Sequence, residues 1–210
     1  MMTLYDCSTA PSPRRARIML AEKGIAHETV QVDLRNKEQM SDAFRVINPH
    51  CTVPALHTED GLLLTDNAAI AAYLEARFPE PPLLGVTPAD KAEIASWHWR
   101  VEYEGFLAVG EALRNSSPGM VNRALPGPHD YAQIPAPAER GLLRTQHFFD
   151  MLNQHLANKT YIAANQFSVA DITAVVAVDF ARIVKIKPTD QHPHLLRWRE
   201  TMALRPSFSL

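Results

Sequence analysis

Asn48-Pro49-His50-Cys51-Thr52-Val53-Pro54-Ala55-Leu56 is the stretch on which the fold turns. Asn48-Pro49 ends whatever helix precedes it, because the residue before a proline is driven out of the α region. Val53-Pro54 then stands at the mouth of a short apolar run, residues 53–57. A trans proline is awkward there, whereas a cis one makes a tight turn and leaves the Val53 amide and carbonyl without ladder partners. Such an edge accepts an extended peptide by strand addition. Taken alone, an X-Pro bond is cis in only about 5–6% of cases, so an ordinary turn proline competes until the surrounding elements are read.

On the N-terminal side, residues 2–6 read as a strand and 13–23 as a helix, with Ser12 at the N-cap, Pro13 at the first helical position and Gly24 closing it. Residues 27–33 alternate as a second strand. Met40, Phe44 and Ile47 place a helix over 36–47. On the C-terminal side, 53–57 and 62–64 form a hairpin around Thr58-Glu59-Asp60-Gly61, and 68–78 is helical again. The order βαβαββα requires a crossover and gives a small mixed sheet with helices on its faces, an α/β unit. The proline-rich residues 78–85 read as a linker. Beyond them strand signals stop. Trp97, Trp99, Tyr103 and Phe106 mark a long helix over 89–115, 118–137 is turn-rich, 138–156 is helical, and another helix starts at Ser168. Its residues to 184 are apolar almost all round, which marks the buried centre of an all-α helical bundle, with Ser168 and Asp171 as its capping pair. The expected division is 1–78 for the first domain, 79–88 for the linker and 89–210 for the helical domain.

Composition narrows the function. The 210 residues carry 21 Lys plus Arg against 23 Asp plus Glu and are 46% hydrophobic, an ordinary globular balance without the basic stripe that nucleic acid or an anionic membrane requires. Two cysteines, Cys7 and Cys51, make no CxxC pair or disulfide framework, and the N-terminus has no signal-peptide order, so the expected setting is cytoplasmic. Nine histidines include no HExxH or clustered ligand spacing, so no metal is expected. No Gly-rich phosphate loop or Gly-x-Ser-x-Gly elbow occurs.

Two helix starts should lie near the sheet edge. Ser12 opens one and Thr65-Asp66-Asn67 the other, each offering free amides and a positive dipole end, with simple capping as the competing reading. At this point the sequence resembles the cytosolic glutathione transferase family. The resemblance rests on residues 13–25 (PRRARIMLAEKGI), 48–56 (NPHCTVPAL), 64–74 (LTDNAAIAAYL) and the capping motif Phe167-Ser168-Val169-Ala170-Asp171-Ile172, in order and over nearly the whole chain. It implies a thioredoxin-like domain followed by a helical domain, commonly a homodimer, with glutathione as co-substrate along the edge before a cis-proline. Carried over, Thr52, Val53 and Pro54 would meet the cysteinyl backbone of glutathione. Asp66 and Asn67 would hold its γ-glutamyl end. Of the aromatic residues on the long helix, for which core packing is the competing reading, Tyr103 and Phe106 are the candidates to face a small hydrophobic electrophile, because the helix would otherwise bury its whole aromatic face.

One departure concerns the thiol. Ala10 stands where many members carry a catalytic serine or cysteine. Its neighbours Ser12 and Thr9 are the candidates to stabilise the thiolate, Ser12 also contacting glutathione. Tyr5 misses the tyrosine-type position by one residue and reads as strand core, and Cys7 precedes the helix. Ala10-Pro11-Ser12 is similar to the Thr-Pro-Asn of a bacterial subgroup, which keeps glutathione-dependent disulfide reduction as an alternative to conjugation. A non-catalytic ligand-binding or interaction protein is the other alternative. Cys51 replaces a glycine usual in the family, and Asp66-Asn67 replaces the commoner Glu-Ser.

Overall fold

The computed structural model describes residues 1–210, which form two compact units: Met1–Pro81 with Pro126–His129, and Pro82–Leu125 with Asp130–Leu210.

In the first unit the strands β1 (Met2–Asp6), β2 (His27–Gln31), β3 (Ala55–His57) and β4 (Leu63–Leu64) make one sheet in the order β2-β1-β3-β4. β1 runs parallel to β2, the pairing that required a crossover helix, and antiparallel to β3, which pairs with β4 through the expected hairpin. Gly61, at φ +80, supplies the left-handed residue of that turn. Helices α1 (Pro11–Glu22), α2 (Asp42–Ile47) and α3 (Asn67–Arg77) complete the βαβαββα order. Leu4, Ala16, Ile18, Leu20, Leu56, Ile70 and Leu74 are fully enclosed between sheet and helices. Lys23, at the end of α1, binds Glu75 at 2.8 Å and the carbonyls of Phe78 and Pro81, fastening the end of α3 and the proline-rich segment to α1.

Two local expectations are corrected. α1 begins at Pro11, so Ala10 and not Ser12 is its N-cap: a proline preset at φ near −65° starts the helix as well at residue 11 as at residue 13, and the earlier one wins. The single helix read over 36–47 is a 3₁₀ turn (Glu38–Met40) and α2, divided at Ser41, whose side chain accepts the Phe44 amide and caps the second piece.

The second unit holds α4 (Pro88–Arg100), α5 (Leu107–Ser116), α6 (Pro135–His155), α7 (Val169–Phe180) and α8 (Pro193–Ala203). α4 and α5 are not one uniform helix, because Val101–Phe106 forms a π-helical stretch between them. Gly105 lies in it, and a Cβ there would come within 2.5 Å of the Phe148 ring, so the ring of α6 packs where a side chain is missing. α8 was not anticipated, no element being expected after residue 184; Pro193 is its first residue.

α7 is buried along Val169–Val178, as its sequence pattern requires. At its start Asp171, wholly enclosed, accepts four hydrogen bonds, from the Ile162 amide, the Ser168 amide and hydroxyl, and the Trp198 indole of α8. Burial pushes its carboxyl up to about 6 despite these bonds, which favour the ionised form. Asp171 thus gathers the loop before α7, the helix start and α8 around one carboxylate.

α5 and α6 meet at Gly141, where a Cβ would lie 2.6 Å from the Ala112 nitrogen and 2.7 Å from the Ala108 oxygen. Backbone cannot yield as a side chain does, so Gly141→Ala should destabilise the protein by up to about 2 kcal/mol, overpacking of about 1–3 set against a helix-propensity gain near 1. Gly110→Ala, with nothing within 4 Å, should stabilise by about 0.5–1 kcal/mol. Urea unfolding of the two variants checks both signs.

Candidate active site

α1 leaves the sheet through the turn Cys7–Ala10, closed by the Ala10 amide on the Cys7 carbonyl at 2.9 Å. Its first three helical residues are Pro11, Ser12 and Pro13. Proline has no N–H, so Ser12 supplies the one amide of that turn that points out of the helix start. The Ser12 hydroxyl oxygen accepts two hydrogen bonds, from the Arg15 guanidinium at 3.1 Å and from Asn67 Nδ2 at 3.1 Å. A hydroxyl has two acceptor positions and one hydrogen. Both acceptor positions are filled, and the remaining capacity of Ser12 is to donate, from its O–H and its N–H. A buried guanidinium bonded to the same oxygen makes that hydroxyl a better donor to an anion.

Asn67 is the first residue of α3. Its Nδ2 also donates to the Ser12 carbonyl at 3.2 Å, and since a carbonyl only accepts, this bond sets the orientation of the amide. Asn67 Oδ1 is left enclosed and without a hydrogen-bond partner. Asp66, the N-cap, accepts the Ala69 amide at 2.8 Å through Oδ1. Oδ2 of this exposed residue remains for a cation, and the Asn67 and Ala68 amides remain for an anion. An α-amino acid end, one ammonium and one carboxylate, matches that pair.

The third part is the edge. The Val53-Pro54 bond is cis, β3 begins at Ala55, and no backbone hydrogen bond engages Val53. Val53 joins Val32 and Phe44 in an apolar cluster on which Tyr5, Cys7, Leu34 and Ile47 pack. Asn48, wholly buried, donates to the Thr52 carbonyl at 2.8 Å and hydroxyl at 3.3 Å and accepts the His50 amide at 2.9 Å. It braces the strand mouth. Sequence reading took Asn48 only as a helix breaker; an asparagine facing a short loop of free backbone groups was the overlooked signal.

The family described as Glutathione S-transferase, N-terminal domain, matches residues 9–77, and Glutathione S-transferase, C-terminal domain, matches 135–206. The chain belongs to the glutathione S-transferase family. Glutathione S-transferase 2 of Saccharomyces cerevisiae is 33% identical over 214 residues, covering 98% of this chain and 87% of that protein. The crystal structure of Gtt2 from the same yeast superposes with a TM-score of 0.89 at 31% identity, covering 99% of this chain and 98% of that one. A glutathione S-transferase domain-containing protein of Marinobacter aquaeolei gives 0.89 at 34% identity over 98% of both chains.

The structure thus brings Ser12 and Asn67 of this transferase-family chain into direct contact, and gathers Thr52, Val53 and Pro54 as a second group beside Cys7. Thr9 is exposed, its hydroxyl 3.6 Å from Cys7 Sγ. Tyr5 packs edge-on against Phe44, as a strand-core residue. In the helical unit Phe106 packs on Phe180, while Tyr103, half exposed, stacks on Trp99 with the Arg144 guanidinium 4.8 Å from its ring centre. Gln39, 1% exposed in the 3₁₀ turn, has both amide atoms without partners. A polar residue among Met40, Phe44 and Ile47 gave no sequence sign of burial.

Cys51 keeps the backbone of the glycine it replaces: its φ is 54 and its side chain is buried. A left-handed non-glycine residue costs about 1–2 kcal/mol, whereas Cys51→Gly would forfeit about 1 kcal/mol of apolar burial and add about 0.5–1 of unfolded-state entropy. Cys51→Gly should therefore leave stability within about 1 kcal/mol of the parent in urea unfolding.

Proposed function

We propose that this protein binds glutathione in the cytoplasm and holds its thiol as thiolate, for attack on a small hydrophobic electrophile, with Ser12 as the group that stabilises the sulfur anion. The observation that carries the reading is the Ser12 hydroxyl, whose two acceptor positions are filled by Arg15 and Asn67, leaving its hydrogen to donate. A free cysteine thiol has a pKa near 8.5, and lowering it by about 2 units is worth about 2.7 kcal/mol. A hydrogen bond to a charged group supplies about 1.5–3 kcal/mol and a helix N-terminus about 0.3–1. One hydroxyl at the start of α1 is sufficient on that scale. The thiolate sulfur forms a bond to the electrophilic carbon, and the leaving group departs with the pair of electrons it shared.

Val53 pairs with the cysteinyl backbone of glutathione between Thr52 and Pro54, and Asp66 and Asn67 hold its γ-glutamyl end. The exposed Asp66 Oδ2, left free by the capping bond that Oδ1 accepts, supports this assignment, since a ligand ammonium would satisfy it. Thr9 is the second candidate for the thiol, and Tyr103 and Phe106 for the electrophile. The same thiolate can attack a disulfide instead, giving a mixed disulfide and releasing a thiol. A ligand-binding protein without turnover is favoured by one observation, Ala10 at the N-cap of α1, where a hydroxyl or thiol would face the ligand.

A homodimer belongs to the same reading, supported by exposure of Trp99, Leu107 and Leu143, which a second copy would cover. Sedimentation should give about twice the chain mass; a monomer at micromolar concentration removes this element.

Ultraviolet absorbance of the bound thiolate against pH tests the function. The parent should titrate well below 8.5, and Ser12→Ala should raise the value by about 1–2 units while Thr9→Ala changes it less. Turnover of an aryl halide and of a disulfide then separates the two reactions. An unshifted thiol with neither activity would establish the non-catalytic reading.

A further inference from the structure

The turn that carries the start of α1 is held by side chains that never reach the sulfur. Asp6, at the end of β1 and 1% exposed, accepts Arg17 at 2.6 Å on Oδ1 and Gln31 Nε2 at 3.0 Å on Oδ2. Both partners continue to the same peptide groups. Arg17 donates to the Cys7 carbonyl at 3.4 Å and to the Ser8 carbonyl at 3.1 Å, and Gln31 Oε1 accepts the Ser8 amide at 2.9 Å. The Ser8 N–H and C=O are therefore clamped from opposite sides, by β2 and by α1, and both arms end on one carboxylate.

The direction of this relay is set by Asp6. An ionised carboxylate only accepts, so Gln31 must turn its NH₂ toward it and its oxygen toward the Ser8 amide. Exchanging the carboxylate for an amide puts an NH₂ against either Arg17 or Gln31, and the second choice reverses Gln31 and opposes two N–H donors at Ser8. The turn follows directly into Ala10, Pro11 and Ser12, so its conformation determines where the Ser12 donors point. A misplacement on the order of 1 Å is enough to lower a rate about a hundredfold.

We propose that Asp6, Arg17 and Gln31 are positioning residues for the thiol: through the Ser8 peptide they fix the turn that aims Ser12. This rests on the proposed role of Ser12. Gln31 is the member to vary first, because it is exposed on an edge strand and its replacement leaves the Asp6–Arg17 ion pair in place. Asp6 and Arg17 form a mostly enclosed ion pair, whose breaking is strongly destabilising in itself.

Gln31→Met keeps length and removes both hydrogen bonds. Its melting temperature should stay within a few degrees of the parent, its Ser8 amide should exchange hydrogen at least about tenfold faster, and its bound-thiol pKa should rise by about 0.5–1 unit. kcat should fall several-fold with KM for glutathione little changed. Asp6→Asn, read only if its near-ultraviolet circular dichroism matches the parent, should show the same direction. Parental exchange at Ser8, or faster exchange with an unmoved thiol pKa, would overturn the proposal. If the parent itself shows no acidified thiol, the Ser12 reading fails separately and the aiming role with it, while Ser8 exchange still reports whether the clamp exists.

Discussion

The two hydrogens of Asn67 Nδ2 join the start of α3 to the start of α1, one on the Ser12 carbonyl and one on its hydroxyl. Helix starts are regions of unpaired donors, and two of them brought together repel through their positive dipole ends. A neutral amide that donates to one start while its own backbone begins the other makes the approach tolerable, and leaves a concave set of donors with a net preference for anions. Arg15 adds to the positive side, and Asp66 places the one opposing charge at the outer end. The arrangement suits a ligand with an anion at its middle and a zwitterion at one end.

Most of the fold was legible because the periodicities are clean. The strand read over 27–33, the hairpin glycine at 61 and the apolar residues of α7 are each present in the structure, the strand ending two residues earlier at Gln31. The misplaced start of α1 came from Pro11 and Pro13 satisfying the same rule two residues apart, which local sequence cannot separate. The π-helical stretch at Val101–Phe106 carries no local signal of the kind that marks a cap or a turn; the Phe148 ring packs against it at Gly105, a contact between residues distant in the chain. α8 was missed because it opens without a capping side chain, His192 standing before Pro193 and binding no helix amide.

The site divides in the same way. Asp66 as N-cap follows from local chemistry, whereas the cis Val53-Pro54 bond was readable only from the elements around it and from the resemblance, since a lone X-Pro bond favours trans. The brace of Asn48, the enclosed amide of Gln39 and the pair of donors on Ser12 were not readable, since each depends on which groups surround it in space. Ser12 is instructive: its expected position as N-cap was wrong, and the reason for interest in it became stronger. As an N-cap its oxygen would have accepted a helix amide and its hydrogen would have been one donor among several. One residue into the helix and between two prolines, it concentrates the donors of that turn in itself.

Ala10 then has a physical explanation that needs no loss of activity. A hydroxyl at the N-cap stabilises an anion only when its hydrogen points outward, and an N-cap oxygen is drawn toward the helix amides, of which the first turn of α1 keeps only that of Ser12, Pro11 and Pro13 having none. With a single amide left within reach, a polar N-cap has less to cap, and the benefit of serine over alanine there, usually about 1 kcal/mol, is reduced. The same prolines that make Ala10 tolerable leave Ser12 as the outward donor, and Arg15 and Asn67 hold its oxygen from behind. The alanine and the serine are therefore two consequences of a single local choice, a helix that starts Pro-Ser-Pro.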